Sequence, residues 1–233
     1  MASAEPRLFG EGPLSRASTL VYTLLTVEAM LLVASLPGIV PALFLRSDPS
    51  NLPLLALCAL PLGPALSAAI YAVHLRSTDM AELRPVAKFW RGYRLNVRGV
   101  LPVWAIGLLW VTVVAVTLGD LGFSGFPSWW AVLLGLVGIA ALLWTTNGLV
   151  IASLFAFRTI DVFRLSWYLL GRAPVAMLGN AGVLAIAVAL ALLTSEAVVA
   201  LVGVILVAMV LRTSRPVIAI VTAEFTQPAD RPE

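Results

Sequence analysis

The stretch that decides the fold lies in the middle of the chain, at residues 84–118. It reads RPVAKFWRGYRLNVR, followed by GVLPVWAIGLLWVTVVAVTL. The second part, residues 99–118, has no charged side chain, and about 20 apolar residues suffice for a helix to cross the roughly 30 Å hydrocarbon core of a bilayer. We therefore predict a transmembrane helix that directly follows a basic and aromatic segment.

The whole chain has the composition of an integral membrane protein. Of its 233 residues, 61% are hydrophobic and 12% are charged, whereas soluble domains are about half apolar and a quarter charged. A soluble fold of this size cannot cover so much apolar surface with polar atoms. Composition therefore predicts an all-α fold: a polytopic transmembrane helical bundle in a single domain, with amphipathic interfacial helices on its cytoplasmic side.

Apolar stretches of spanning length recur about six times along the chain. The predicted spans are residues 18–45, 53–75, 99–118, 128–157, 173–193 and 196–223. Pro37 and Pro41 predict that the first helix kinks or ends near Leu36, because proline lacks a backbone donor. Arg212 interrupts the last stretch, so that span could end at Leu211 and continue as a short interfacial tail.

Lysine and arginine are distributed unevenly between the predicted loops. With the N-terminus inside, fourteen of the 15 lie on the cytoplasmic side and only Arg46 lies outside. Because basic loops remain in the cytoplasm, we predict that both termini are cytoplasmic and that the first span is not a cleaved signal peptide. Fourteen of the 15 basic residues are arginine, which together with abundant Ala, Leu, Val and Gly suggests a GC-rich genome. We predict that the membrane is a bacterial inner membrane.

Residues 79–98 are predicted to form a basic interfacial helix. Its basic residues recur at intervals of three and four, which places them on one helical stripe beside an aromatic face. The candidate docking residues are Arg84, Lys88, Trp90, Arg91, Tyr93, Arg94 and Arg98. Asp79 and Glu82 resemble a capping box, although Pro85 is expected to kink or delay the helix.

This segment allows two interpretations. It can satisfy the positive-inside rule and attract anionic lipid in the headgroup layer, or it can dock an acidic cytoplasmic partner. Nucleic-acid binding is not expected, because no recognition fold accompanies the charge.

The second cytoplasmic loop, residues 158–172, resembles a weaker copy of this segment. Trp167 and Tyr168 precede Arg172 and Pro174, much as an aromatic pair precedes Arg98 in the first copy. A duplicated unit of interfacial helix plus transmembrane hairpin is one interpretation.

Three polar side chains lie within predicted spans: Glu28, Asn147 and Asn180. Such residues usually face the bundle interior or a water-filled path. Each can lock helix packing through hydrogen bonds, or the three can line a path for protons or substrate. Arg212 is expected to extend to the interface, with an ion pair to Glu28 as the alternative.

The chain offers few residues for catalysis or metal binding. It has one cysteine, Cys58, and one histidine, His74. A metal cluster or a general acid–base pair is difficult to assemble from these residues, so the sequence predicts no enzyme activity, metal or cofactor.

Several segments resemble YesL-type integral membrane proteins. Residues 60–71, LPLGPALSAAIY, are similar to the Gly-Pro-Ala segment that opens the second span of that family, and residues 90–98 resemble its aromatic-basic segment, with Asn96 at the centre. Here residues 38–59 intervene between the Leu-Pro element and that segment, unlike in shorter members. The family has no established biochemical activity and is typically encoded beside carbohydrate ABC importers, so the resemblance implies an accessory role in sugar uptake.

Two functions follow as hypotheses. The first is a non-enzymatic accessory or regulatory membrane protein, whose partners are anionic lipid and ABC importer subunits or another membrane protein. The alternative is a stand-alone transporter or channel for a small solute, with Glu28 in the translocation path.

Overall fold

The computed structural model describes residues 13–45, 48–76, 84–121 and 127–225. Every regular element in those ranges is helical. The helices are α1 (Pro13–Ala42), α2 (Leu52–Cys58), α3 (Leu62–His74), α4 (Pro85–Asp120), α5 (Trp129–Leu154), α6 (Thr159–Arg172), α7 (Pro174–Leu193), α8 (Glu196–Leu201), α9 (Gly203–Thr213) and α10 (Arg215–Phe225), with a 3₁₀ turn at Pro49–Asn51. The all-α prediction is confirmed.

Four of the described helices are long and apolar enough to cross a membrane: α1, α4, α5 and α7. Two further pairs of helices raise the number to as many as six if each pair is one bent span. The helix axis bends by 41° between α2 and α3 and by 52° between α9 and α10. Since many apolar side chains on these helices point outward from the protein, lipid is the solvent that they require. The chain is a multi-pass membrane protein.

The first helix does not end near Leu36, as the prolines predicted. It continues through Pro37 and Pro41 to Ala42. At Gly38 the end of α2 packs so closely that a Cβ would collide with the carbonyl oxygen of Cys58. Neighbouring helices can support proline-containing spans, and the end of α2 packs against α1 between its two prolines.

The connection from α1 to α2 contains a small polar turn. The Asp48 carboxylate accepts hydrogen bonds from the backbone N–H and the hydroxyl of Ser50, each at 2.9 Å. These two bonds lower the pKa of Asp48 below its ordinary value, because they stabilise the charged form. The turn is exposed.

The predicted third span, residues 99–118, and the basic segment before it form one continuous helix, in place of an interfacial helix followed by a separate span. Helix α4 runs for 36 residues and passes through Pro102 without interruption. It begins at Pro85, where the absent N–H costs nothing because the first turn has no intrahelical acceptor. The proposed capping box of Asp79 and Glu82 lies outside the described residues. A helix of this length extends about 54 Å, so its basic end must project beyond the hydrocarbon core.

The buried core includes residues of α1, α3, α4, α5, α6, α7, α9 and α10, and α4 packs most extensively against α3 and α5. Gly107 of α4 sits against the side chain of Thr145, and Gly148 of α5 sits against Val103, at distances that leave no room for a Cβ. The Trp104 indole N–H donates to the carbonyl of Ala59 at 2.9 Å. Close backbone approach and interhelical hydrogen bonds of this kind are the usual basis of association in lipid.

The remaining elements differ in detail from the predictions. Helix α5 ends at Leu154 and is therefore shorter than the predicted fourth span, residues 128–157. Helix α6 is a separate amphipathic helix, as predicted for residues 158–172, but it is divided from α7 at Ala173. The two proposed repeat units therefore differ, because α4 has no break between its basic segment and its apolar segment.

The predicted sixth span, residues 196–223, is divided into three helices. A break at Val202 separates α8 from α9, and a bend at Ser214 separates α9 from α10. Helix α9 continues past Leu211 to Thr213, so the predicted end is two residues early. The tail predicted after it is helical, as α10.

Candidate functional site

The basic stripe of α4 is exposed along its length. Arg84, Arg91, Arg94 and Arg98 are all exposed, whereas Phe89 on the opposite side is completely buried. Because the buried side anchors the helix against the bundle, the four guanidinium groups are presented from a rigid element. Four of the five basic residues of the predicted stripe therefore lie on an exposed surface in the structure.

Lys88 does not belong to that open surface. It is half-buried, and its Nζ donates to the carbonyl of Leu75 at 2.8 Å. That carbonyl lies at the C-terminus of α3, where backbone acceptors lack intrahelical donors and a positive charge is favourable. Lys88 thus connects α4 to α3, which makes it a structural residue.

The aromatic residues of this segment form a short chain of edge contacts. Trp90 lies 5.9 Å from Phe89 and 5.6 Å from Tyr93, measured between ring centroids. Trp90 is partly exposed and Tyr93 is half-buried against the core. Aromatic side chains in this position suit the membrane interface.

Helix α6 presents a second amphipathic surface. Val162, Leu165 and Leu169 are buried, while Ile160 and Trp167 are exposed. Arg172 at its end lies 3.9 Å from Glu224 of α10, in an exposed ion pair. Such a pair contributes little to stability in water.

A cavity of about 500 Å³ lies between α6 and the end of α10. Its lining includes Asp161, Arg164, Tyr168 and Phe225. It therefore combines a carboxylate, a guanidinium and a phenol with an apolar floor, although sequence spacing gave no indication that these helices meet.

Glu28 lies where the sixth span is broken. Its Oε2 accepts the backbone N–H of Val204 at 2.6 Å, and its Oε1 would lie 3.3 Å from a Cβ placed on Gly203. These are the first residues of α9, whose N–H groups lack intrahelical acceptors. Glu28 therefore caps α9 from a different span, and its Oε1 is buried without a protein partner.

Asn180 connects α7 to the bend between α9 and α10. It is completely buried; its Nδ2 donates to the Ser214 hydroxyl at 3.1 Å, and its Oδ1 accepts from the Thr213 hydroxyl. Because the amide nitrogen and the amide oxygen of Asn180 are both hydrogen-bonded, this side chain stabilises the bend.

Asn147 is also completely buried, but it is less well satisfied. Its Nδ2 lies 3.2 Å from the sulfur of Met177 in α7, and its Oδ1 has no protein partner. The neighbouring Thr145 and Thr146 donate to carbonyls of their own helix.

The three polar residues do not form one site. Glu28 contacts the beginning of α9 and Asn180 contacts its end, which are about 14 Å apart along the helix axis. Arg212 is exposed, and Glu28 bonds the backbone of α9 in place of the proposed ion pair. Each residue joins a different pair of helices, which favours packing over a shared path.

The described residues contain no group of three or more His, Cys, Asp or Glu side chains that could hold a metal ion. Cys58 is a free thiol.

No protein-family model matches the chain, and neither curated proteins nor solved structures give a match. The resemblance to YesL-type proteins therefore stays a prediction.

Proposed function

We propose that this chain is a non-enzymatic accessory protein of a bacterial inner membrane, with both termini in the cytoplasm. Its role would be to bind an acidic cytoplasmic or membrane partner through the arginines of α4. The single observation that supports this proposal is the row of exposed arginines at the end of α4 that projects beyond the hydrocarbon core. Positive potential of this kind steers acidic partners and sets their orientation.

The identity of the partner is proposed from a different source. The resemblance of residues 60–71 and 90–98 to YesL-type proteins points to carbohydrate import of the ABC type. We therefore propose an importer subunit as the partner, and a regulatory or accessory contribution to uptake.

The experiment is charge reversal within the stripe. The double variant Arg91→Glu, Arg94→Glu is expected to weaken partner association by more than about tenfold, because two favourable contacts become repulsive. Lys88 is left unchanged, since its substitution would disturb α3. Association is measured by quantitative mass spectrometry of subunits that co-purify in mild detergent.

The matched control reverses two exposed arginines elsewhere, in Arg212→Glu, Arg215→Glu. This variant has the same net charge and is expected to retain the partner. Equal recovery of the same partners by both double variants would contradict the proposal.

The alternative, a stand-alone transporter with Glu28 in its path, has weaker support. Its motivating observation is the buried Oε1 of Glu28 at a helix break. It predicts solute flux into liposomes that contain this protein alone, and loss of that flux in Glu28→Gln.

A further inference from the structure

The basic end of α4 extends well past the end of the neighbouring span, α5. Asn96 marks the level at which α5 ends, because its Nδ2 donates to the Ser153 carbonyl at 2.9 Å and α5 ends at the next residue, Leu154. From Asn96 back to Pro85 the helix continues for about 16 Å. The headgroup layer on each side of a bilayer is only about 5–8 Å thick. The start of α4 therefore lies outside that layer.

The exposed arginines of this end form a straight row. Arg84, Arg91 and Arg98 follow one another at seven-residue intervals, and Arg94 lies between the last two. Seven residues are almost two helical turns, so these side chains leave one side of α4 at steps of about 10 Å. None of the four pairs with a carboxylate among the described residues. The row is therefore a positive surface about 21 Å long.

Anionic lipid can reach only one end of this row. Arg98 and Arg94 lie within about 3 Å of the Asn96 level, measured along the helix axis. Arg91 lies about 7 Å before that level, at the outer edge of the headgroup layer, and Arg84 lies about 18 Å before it. A partner that covers the whole row therefore approaches from the aqueous side of the headgroups.

Helix α3 holds this end of α4 in place. At Gly92 the two helices are so close that a Cβ would lie 2.8 Å from the Cβ of Tyr71. Lys88 bonds the carbonyl at the end of α3, and Phe89 is completely buried. Because the row is carried by a braced helix, little conformational entropy is lost when a partner binds it.

Two exposed apolar side chains flank the row. Trp90 lies one turn from Arg94 on one side of it, and Leu95 lies one turn from Arg91 on the other. Arginine and tryptophan together are typical of the residues that dominate binding energy at protein interfaces. The surface thus offers charge along its centre and apolar contacts along both edges.

We propose that the partner binds this row with an acidic amphipathic α-helix that lies alongside α4. This inference rests on the proposed docking function and specifies the element that docks. A helix alongside α4 presents glutamates at the same heptad spacing, so several carboxylates meet the arginines at once while apolar side chains contact Trp90 and Leu95. An extended acidic segment fits less well, because its successive side chains point to opposite sides.

The experiment compares two synthetic peptides of identical composition. Both have about 20 residues, enough to cover the row, and both are held helical by the same lactam bridge. One carries its glutamates at heptad a and d positions, and the other carries them around the whole helix. Fluorescence anisotropy measures their binding to the protein in phosphatidylcholine nanodiscs, which contain no anionic lipid. The heptad peptide is expected to bind at least about tenfold more tightly.

The same peptide tests the position of the site. Arg84→Glu, Arg91→Glu is expected to weaken its binding at least about tenfold. The matched control, Arg212→Glu, Arg215→Glu, has the same net charge and is expected to bind as the unchanged protein does. All four arginines are exposed, so neither variant removes a buried contact.

A second measurement tests whether the row projects beyond the headgroups. In a Cys58→Ser background, a nitroxide is attached at Ala87→Cys within the row or at Leu101→Cys on the apolar part of α4; both positions are exposed. The label at residue 87 is expected to be relaxed by a water-soluble nickel complex, and the label at residue 101 by oxygen dissolved in the bilayer.

Three results would overturn the inference. They are equal or undetectable binding of the two peptides, unchanged binding by Arg84→Glu, Arg91→Glu, and a nitroxide at residue 87 that is shielded from the nickel complex. Failure of the docking function is distinguishable, since it is judged by the proteins that co-purify with Arg91→Glu, Arg94→Glu. Loss of those proteins, together with equal peptide binding, would leave the docking function standing and exclude the acidic helix.

Discussion

Glu28 shows how one side chain can compensate for a broken helix inside a membrane. The break at Val202 exposes N–H groups at the start of α9, and no water is present in the hydrocarbon core to bond them. The carboxylate of Glu28 reaches from α1 and accepts one of them at Val204. The carboxylate of Glu28 therefore supplies an acceptor that the start of α9 requires.

We predict that the acceptor oxygen of Glu28, rather than its charge, stabilises the fold. Glu28→Leu removes the acceptor and is expected to cost about 1–2 kcal/mol. Glu28→Gln keeps a carbonyl oxygen and is expected to unfold within a few degrees of the unchanged protein. Thermal unfolding in mild detergent distinguishes the two variants. If Glu28→Gln proves as unstable as Glu28→Leu, the capping role is wrong and the charge matters.

The sequence indicated these polar residues but not their partners. An acidic residue in an apolar stretch is conspicuous, so Glu28 could be singled out. Its partner is a backbone N–H, which every residue except proline carries. No sequence pattern therefore distinguishes Val204 as the partner. The partner of Lys88 was equally invisible in the sequence, because it is the backbone carbonyl of Leu75.

At the scale of elements, close packing is concentrated where α4 meets α3 and α5. Gly107 and Gly148 allow α4 and α5 to approach, and between α3 and α5 the Ser153 hydroxyl donates to the Ser67 hydroxyl at 2.8 Å. By contrast, a Cβ on Gly135 would meet no neighbouring side chain. Glycine in an apolar span is thus ambiguous in sequence, since only the fold shows which one faces another helix.

This contrast gives a matched prediction for two glycines. Gly107→Ala is expected to destabilise the protein by about 1–3 kcal/mol, because the new methyl group collides with Thr145. Gly135→Ala is expected to be neutral or to stabilise by about 0.5–1 kcal/mol through better helix propensity. Both are compared by thermal unfolding in the same detergent. Similar losses in both variants would mean that the α4–α5 contact is not the one described.

Helix boundaries were the least predictable feature at this scale. Proline was expected to kink or end α1, yet α1 continues through Pro37 and Pro41, and α4 likewise contains Pro102. Packing against neighbours compensates for a missing donor, and such packing cannot be inferred from one segment alone. The break at Val202 has no proline and was not predicted.

For the whole molecule, hydrophobicity determines what the chain can be. The helical bundle was predictable because lipid requires long apolar stretches with internally bonded backbones. The predicted orientation rests on the distribution of arginines, and it would put the basic end of α4 and the whole of α6 on one side of the membrane. The docking proposal depends on this arrangement.

Cysteine accessibility tests that arrangement most directly. In a Cys58→Ser background, single cysteines are placed at Ala87, Gly171, Ser128 or Thr194, all of which are exposed. Spheroplasts are treated with a membrane-impermeant maleimide before and after permeabilisation. We predict that Ser128→Cys and Thr194→Cys react in intact spheroplasts, and that Ala87→Cys and Gly171→Cys react only after permeabilisation. Reaction of Ala87→Cys or Gly171→Cys from outside, or equal reaction at all four positions, would contradict the account.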